Sequence, residues 1–306
     1  MRAPLIHIGY HRAGSTWLQR FLFGQTAAGF AQPFDRRDDI ATHLILPNML
    51  DFDAEAAHAH FVGRLDQGDL VPVLSAERLS GYPDSGGYDS AEIARRLREV
   101  FPDGRVLIVI RRQADMLLSF YKVYVQVSGH LSLRDYVDPP EGGRLRVPRF
   151  DFAHFAYHGL IGRYQALFGA DRVMVQPFED IASRPETVAR HVARFAGLET
   201  TPDVSAARRV NASLCGLTVS AKRRLNPFFL RDAANGYSPL ALPGLADAGN
   251  AGFQWLDRKL PTGWRTASDK RLADKVARLV AGRYAESNRT TQELTDLDLA
   301  TRGYDV

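Results

Sequence analysis

The chain of 306 residues is 45% hydrophobic and 24% charged, the proportions of a globular protein rather than a disordered one, and no run of about 18 apolar residues is written in it to cross a bilayer. Its net charge is +4, and only five of its 39 basic residues are lysine, so the cations are mostly arginine forks suited to phosphate and carboxylate. The basic pairs Arg95–Arg96, Arg111–Arg112, Arg208–Arg209 and Arg223–Arg224 are scattered rather than gathered into a stripe, which favours a small anionic ligand over a nucleic acid.

A single cysteine, Cys215, rules out an internal disulfide framework and reads as a small core residue in a reducing compartment. The N-terminus, MRAPLIHIGY, runs into structure too soon for a signal peptide, so the expected location is the cytoplasm. The length fits one large α/β domain or two small ones, and a single domain over 1–306 is expected.

In chain order, residues 4–9 (PLIHIG) read as a buried strand. Gly9, four residues, Gly14, Ser15 and Thr16 follow, opening a helix over 15–23. This spacing is that of a phosphate-binding loop, but the lysine such a loop carries before its Ser/Thr is missing, and the nearest cation, Arg12, sits inside the loop. Backbone N–H groups of the turn, the positive end of the helix, the two hydroxyls and Arg12 together suit an anion better than a simple capped helix. Residues 53–67 are alanine-rich and helical, and 70–76 form a second strand, with Glu77 just past its end. A carboxylate there reads as a general base, a metal ligand or a helix N-terminal charge.

Asp89 and Glu92 have capping-box spacing for a helix over 90–100. The turn FPDGR leads into a strand at 106–110, closed by Arg111, and a helix over 113–127 carries Asp115 in its first turn and Ser119 further on. Residues 139–149 are a polar Pro/Gly loop. A helix is expected at 151–168, a strand at 172–176, and helices at 185–196 and 216–225. Residues 226–267 read as loop, and a last amphipathic helix as 268–285. His154 and His158 have i, i+4 spacing, but no HExxH motif or cysteine accompanies them, so a structural or acceptor-pocket role is favoured. Trp17 reads as packing, and Tyr121, Tyr124, Phe152, Phe155 and Tyr157 as core or acceptor-pocket aromatics. Short apolar strands alternating with helices indicate a three-layer α/β fold, a central parallel sheet flanked by helices, with ligands beyond the carboxyl ends of the strands.

The post-strand segments together resemble the sulfotransferases that use 3′-phosphoadenosine 5′-phosphosulfate (PAPS). That family's first loop reads roughly Pro-Lys-Ser/Thr-Gly-Thr-Thr-Trp-Leu, and here the chain has His11-Arg12-Ala13-Gly14-Ser15-Thr16-Trp17-Leu18. Its second motif is a strand ending in arginine, with Asp four and Ser eight residues later and an aromatic pair. Here these are Arg111, Asp115, Ser119, Phe120 and Tyr121. Residues 164–198, VNASL (210–214) and RYAESN (283–288) continue the likeness, while 24–68 and 226–267 carry little of it. The loop departs from the family's pattern at two residues: Arg12 stands for its lysine and His11 for its proline. Glu77 stands where the cytosolic members place histidine, and is similar in this to the heparan sulfate-type and many bacterial members.

The resemblance implies a P-loop-like fold and a reaction moving a sulfuryl group from PAPS to a hydroxyl or amine of a carbohydrate or other small acceptor. Arg12, Ala13, Gly14, Ser15, Thr16 and Trp17 would hold the 5′-phosphosulfate. Arg111 and Ser119 would hold the 3′-phosphate, with Asn211 and Ser213 near the adenine and 3′-phosphate. Glu77 would be the base and Arg12 the charge on the leaving phosphate, with His11 as an alternative base. A sulfuryl group leaving a 5′-phosphate needs no magnesium bridge, so no metal is expected, and the missing loop lysine is then explained. Residues 128–160 and 226–267 are the expected acceptor side. The rival readings are a degenerate P-loop kinase or NTPase and a non-catalytic nucleotide-binding module.

Overall fold

The computed structural model describes residues 2–34, 37–138, 148–205, 214–228 and 243–306. Five strands form one sheet: β1 (Leu5–Gly9), β2 (Phe30–Ala31), β3 (Val71–Ser75), β4 (Arg105–Ile110) and β5 (Val173–Pro177). All pairings are parallel, in the order β2-β3-β1-β4-β5. A parallel sheet buried on both faces wants continuous apolar strands, and β1 and β4 supply them: Leu5, Ile6, Ile8 and Val106 to Ile110 are all fully buried.

The strand order reverses at β1. From β1 the chain goes out to the edge strand β2, returns through β3, then crosses to β4 on the other side of β1. Ile6 lies opposite Leu74 in β3 and Val106 in β4, and Gly9 opposite Val109, so the carboxyl ends of the three central strands open at one edge of the sheet. Open parallel sheets hold their ligands at such a reversal.

The chain divides into two compact units. The first (Met1–Arg111, Asp151–Val210, Tyr284–Val306) holds all five strands. Its helices Ser90–Val100, Tyr157–Phe168 and Ala285–Thr295 pack in succession, the middle one between the other two. The C-terminal residues are tied down within this unit: Arg302 forks onto Asp180, and Tyr304 donates to Glu179 Oε2 at 2.9 Å.

The second unit (Arg112–Phe150, Asn211–Arg283) is helical among its described residues, with Gln113–Gln126, Gly216–Leu225 and Thr262–Val280 packed together. Tyr121, Tyr124, Tyr136 and Phe150 form a chain of ring contacts in its core. Lys122, almost buried, is matched by Asp269 at 2.7 Å, and the buried Asn226 amide donates to the carbonyls of Val125 and Gly129.

The structure corrects the sequence reading in several places. Of the expected loop 226–267, residues 229–242 lie outside the described residues, and the rest holds two helices, Pro243–Lys259 and the first turns of Thr262–Val280. The glycines that argued for a loop, Gly249, Gly252 and Gly263, sit in open space along these helices, where a missing side chain costs only propensity. The last expected helix, 268–285, is instead the end of Thr262–Val280, followed by a separate helix Ala285–Thr295. The helix expected over 151–168 breaks at Ala156 into a short turn, Phe152–Phe155, and the helix Tyr157–Phe168.

The Asp89/Glu92 capping box does not form. Ion pairing wins instead: Asp89 binds Arg78 and accepts from the Tyr82 N–H, while Glu92 binds Arg95 and Arg96. The edge strand β2 is only two residues long and leaves no periodic trace. Most of the predicted 139–149 loop lies outside the described residues.

Candidate active site

The loop after β1 is a tight turn closed by the Ala13 N–H on the Tyr10 carbonyl at 3.1 Å. Within it Arg12 has φ 66°, a left-handed conformation rare for a side chain of this size and kept only where surroundings over-determine it. Gly14 follows with φ 91° and starts the helical stretch Ser15–Leu22, whose second turn widens to a π-helix. No side chain caps this helix, so its first N–H groups face the loop as donors.

Gly14 is glycine for two reasons. Its φ is left-handed, and a Cβ there would come within 2.9 Å of the Phe178 ring. Phe178 follows β5 directly, and its ring also lies beneath the Arg111 guanidinium, 4.7 Å from the ring centroid. Arg111 in turn donates from Nη1 to the Arg12 carbonyl at 2.9 Å, and its own carbonyl accepts from the buried hydroxyl of Tyr157. The ends of β1, β4 and β5 are thereby locked together around one aromatic ring.

Glu77 opens a 3-10 turn, Glu77–Ser80, just past β3, and the Ser80 hydroxyl bonds the Glu77 carbonyl at 2.8 Å. Its carboxylate is electrostatically coupled to Arg12. Burial, then the Arg111 guanidinium, lowers the pKa of Arg12 from its ordinary value, and Glu77 pulls the other way. Among the described residues, two cations and one carboxylate are thus coupled at the edge where β1, β3 and β4 end. An anion there would relieve the repulsion between the two guanidiniums.

Under the loop lies a polar layer that sequence reasoning missed. His7 is wholly buried in β1, and burial pushes its imidazole down to about 3. Its Nδ1 pairs with the Ser75 hydroxyl at 2.7 Å, which also accepts from Gln19 Nε2 at 3.0 Å. A Cβ on Gly9 would meet Ser15 Oγ at 2.7 Å and His7 Nε2 at 2.8 Å, so this glycine permits close approach rather than a turn. Ser15 is buried and its hydroxyl faces this layer. The signal for His7 was its place in an otherwise apolar strand. For Phe178 it was its place immediately after β5, as Arg111 stands immediately after β4.

Of the residues expected at the site, Arg12, Ala13, Gly14, Ser15, Thr16, Trp17, Glu77 and Arg111 all lie in the first unit, at the ends of β1, β3 and β4 or just beyond. Ser119 lies in the helix Gln113–Gln126 of the second unit, and Asn211 and Ser213 fall outside the described residues. His11 is half-buried in the loop, and Asp115 pairs with Arg112 at 2.7 Å. His154 and His158 are not a pair, since the break at Ala156 separates them and His158 bonds Ser287 at 2.8 Å. Tyr121, Tyr124, Phe155 and Tyr157 are core, as is Cys215.

No protein-family model and no curated protein matches the chain. Solved structures do. A sulfotransferase from Alicyclobacillus acidocaldarius superposes with TM-score 0.51 at 22% identity, over 69% of this chain and 87% of that one. A sulfotransferase domain from the curacin biosynthetic pathway matches with TM-score 0.45 at 14% identity, over 90% of this chain and 98% of that one. The first of these likenesses establishes a shared fold: an α/β architecture with a five-stranded, all-parallel central sheet flanked by helices. Among the described residues, no helix is long and apolar enough to cross a membrane.

Proposed function

We propose that the chain is a PAPS-dependent sulfotransferase, acting on a hydroxyl or amine of a carbohydrate or other small acceptor, in which both units make up one catalytic domain. The observation that carries this reading is the electrostatic grouping of Arg12, Arg111 and Glu77 at the reversal point of the sheet. The fold shared with a sulfotransferase supports it. A degenerate kinase has no such support, because the loop lacks the lysine that a P-loop places on the β- and γ-phosphates.

The residues present fit a phosphosulfate. The glycine at 14 leaves room for close approach, the first-turn N–H groups supply neutral donors, and Arg12 supplies charge where the leaving phosphate gains it. PAPS supplies the activated sulfuryl group and a good leaving group. Glu77 takes the proton of the acceptor hydroxyl or amine as it attacks. Arg111, braced on Phe178 and the Arg12 carbonyl, fixes the loop and serves the 3′-phosphate side. Arg12 differs from the family's compact ammonium in being a planar fork, so it holds two oxygens rather than one point on a bridging atom.

The first experiment compares thermal unfolding of the protein with 3′,5′-adenosine bisphosphate and with ATP–Mg²⁺. Saturating bisphosphate raises the midpoint and ATP–Mg²⁺ does not. Stabilisation by ATP–Mg²⁺ alone overturns the reading in favour of a kinase. Binding without sulfate transfer to any acceptor in a screen with radiolabelled PAPS reduces it to a nucleotide-binding module.

A further inference from the structure

A second cluster of charge-bearing side chains lies in the first unit, on elements other than those that carry Arg12, Glu77 and Arg111. Asp39 stands in the helix Arg37–Ile40, and His43 follows four residues later in the turn Ala41–Ile45. His60 comes from the neighbouring helix Ala54–Leu65. One donor atom from each of the three falls within 4.8 Å of the others. The two imidazoles are stacked, their centroids 3.6 Å apart and their planes 19° from parallel. Both Nε2 atoms face Asp39 Oδ1, His60 at 3.0 Å and His43 at 3.8 Å.

Arg64, one turn beyond His60, reaches into the same place. Its Nη1 lies 2.6 Å from Asp39 Oδ2 and its Nη2 lies 2.6 Å from His60 Nε2. This arrangement contains a conflict. A guanidinium only donates, so His60 Nε2 must be the unprotonated, accepting nitrogen toward Arg64. The same Nε2 then presents a lone pair to the Asp39 carboxylate at 3.0 Å, acceptor against acceptor. If Nε2 carries the proton and donates to Asp39, it meets an N–H of Arg64 instead. No tautomer of His60 satisfies both neighbours. A cation held by His43 Nε2, His60 Nε2 and Asp39 Oδ1 satisfies all three once the two rings, stacked with nearly parallel lone pairs, splay apart to point at it.

We infer that Asp39, His43 and His60 form a binding site for a divalent zinc-class ion, with Arg64 as an internal cation that occupies it in competition with the metal. Two imidazoles and a carboxylate are a borderline-soft N/O donor set of the kind that takes Zn²⁺. With metal–ligand bonds of about 2.0–2.1 Å, the edge of a tetrahedral site is about 3.3 Å, and the separations of 3.0 and 3.8 Å bracket it. The ligands are accessible: the side chains of Asp39, His43 and His60 are 18%, 37% and 31% exposed. Arg64, itself 39% exposed and lying near Phe34, moves outward to water when it yields. The bound ion clips the segment Arg37–Ile45 to the helix Ala54–Leu65, a structural role separate from sulfuryl transfer.

The test titrates Zn²⁺ by calorimetry, and Co²⁺ by its visible absorption, into the metal-stripped full-length chain and three variants. Wild type binds one equivalent, with cobalt bands of a four-coordinate N/O site. Arg64→Gln binds at least tenfold tighter, because the competing guanidinium is gone. His43→Ala combined with His60→Ala weakens binding at least a hundredfold. Asp39→Asn, which keeps the side-chain shape, repeats the loss in a chain whose folding is less disturbed. Failure of both wild type and Arg64→Gln to bind one equivalent overturns the inference. So does retention of full affinity in the histidine or Asp39→Asn variants, which would place the metal elsewhere.

Discussion

Arg111 Nη1 donates to the backbone carbonyl of Arg12 at 2.9 Å, so the arginine that ends β4 holds the backbone of the loop that follows β1. The bond runs between positions 99 residues apart in sequence, and it keeps Arg12 in its left-handed conformation. Arg111 therefore has two duties in the proposed reaction: it shapes the 5′-phosphosulfate loop and contributes charge toward the 3′-phosphate. Arg111→Lys keeps the charge but loses the fork and the contact with Phe178. A hydrogen bond from a charged group contributes about 1.5–3 kcal/mol, so affinity for 3′,5′-adenosine bisphosphate should fall roughly tenfold to a hundredfold by calorimetry. Equal affinity of the wild type for adenosine 5′-phosphate and the bisphosphate would remove the assignment of a 3′-phosphate site.

Glu77 is coupled to Arg12 and sits on its own turn past β3, so its removal should leave the arginine framework standing. Glu77→Gln should leave bisphosphate affinity within a few-fold of wild type while turnover drops by about 10²–10⁴, the usual contribution of a positioned base. The comparison of kcat with nucleotide Kd decides it: a variant that keeps full turnover has another base, and His11 is the next to replace.

The sheet and the first half of the site were legible in the sequence for one physical reason. A strand buried on both faces is apolar along most of its length, and the glycine or charged residue that follows the run marks its end, which is where Gly9, Glu77 and Arg111 stand. The helices Pro243–Lys259 and Thr262–Val280 were not legible, because their Pro and Gly residues lie at an N-terminus or on open faces, and composition alone cannot distinguish those places from a loop. Phe178 and Tyr157 brace Arg111 through tertiary contacts that have no sequence period. The stacking of His43 on His60 joins two helices whose intervening loop sets the register, and no i, i+4 count reaches across it.

Gly14 tests the packing of the loop on Phe178. Alanine at this position takes on a left-handed φ of 91° and puts its Cβ 2.9 Å from the Phe178 ring. The two penalties together should cost about 1–3 kcal/mol of stability. Phe178→Leu in the same chain relieves the clash but not the backbone strain. The double variant should therefore recover part of the loss in denaturant unfolding, a non-additivity that contacting residues show and distant ones do not. Strict additivity of the two changes would mean that the ring and the loop do not touch.

The buried histidines set the acid limit of stability. His7, fully buried, titrates at about 3 when folded, and His154 at about 4, against about 6.5 in an unfolded chain. Burial is the cause at His7. It is the first cause at His154 as well, with Asp89 opposing it and Arg78 reinforcing it. Between the folded and unfolded values the unfolded state binds more protons, so stability is complete above pH 6.5 and falls as the pH drops. Each histidine contributes a slope of about 1.4 kcal/mol per pH unit. The carboxylates held low by ion pairs, such as Glu92 at about 2, add their own slope only as the pH nears their unfolded value of about 4.5, so the slope between pH 6.5 and about 5.5 belongs to the histidines. His7→Gln retains a polar partner for the Ser75 hydroxyl but has no proton to gain. Urea midpoints measured from pH 7 to 4.5 should show a shallower decline for His7→Gln than for wild type, by about one proton's worth of slope. Parallel curves for the two proteins would mean that His7 takes up its proton without unfolding, and the polar layer beneath the loop would then have to be open to water.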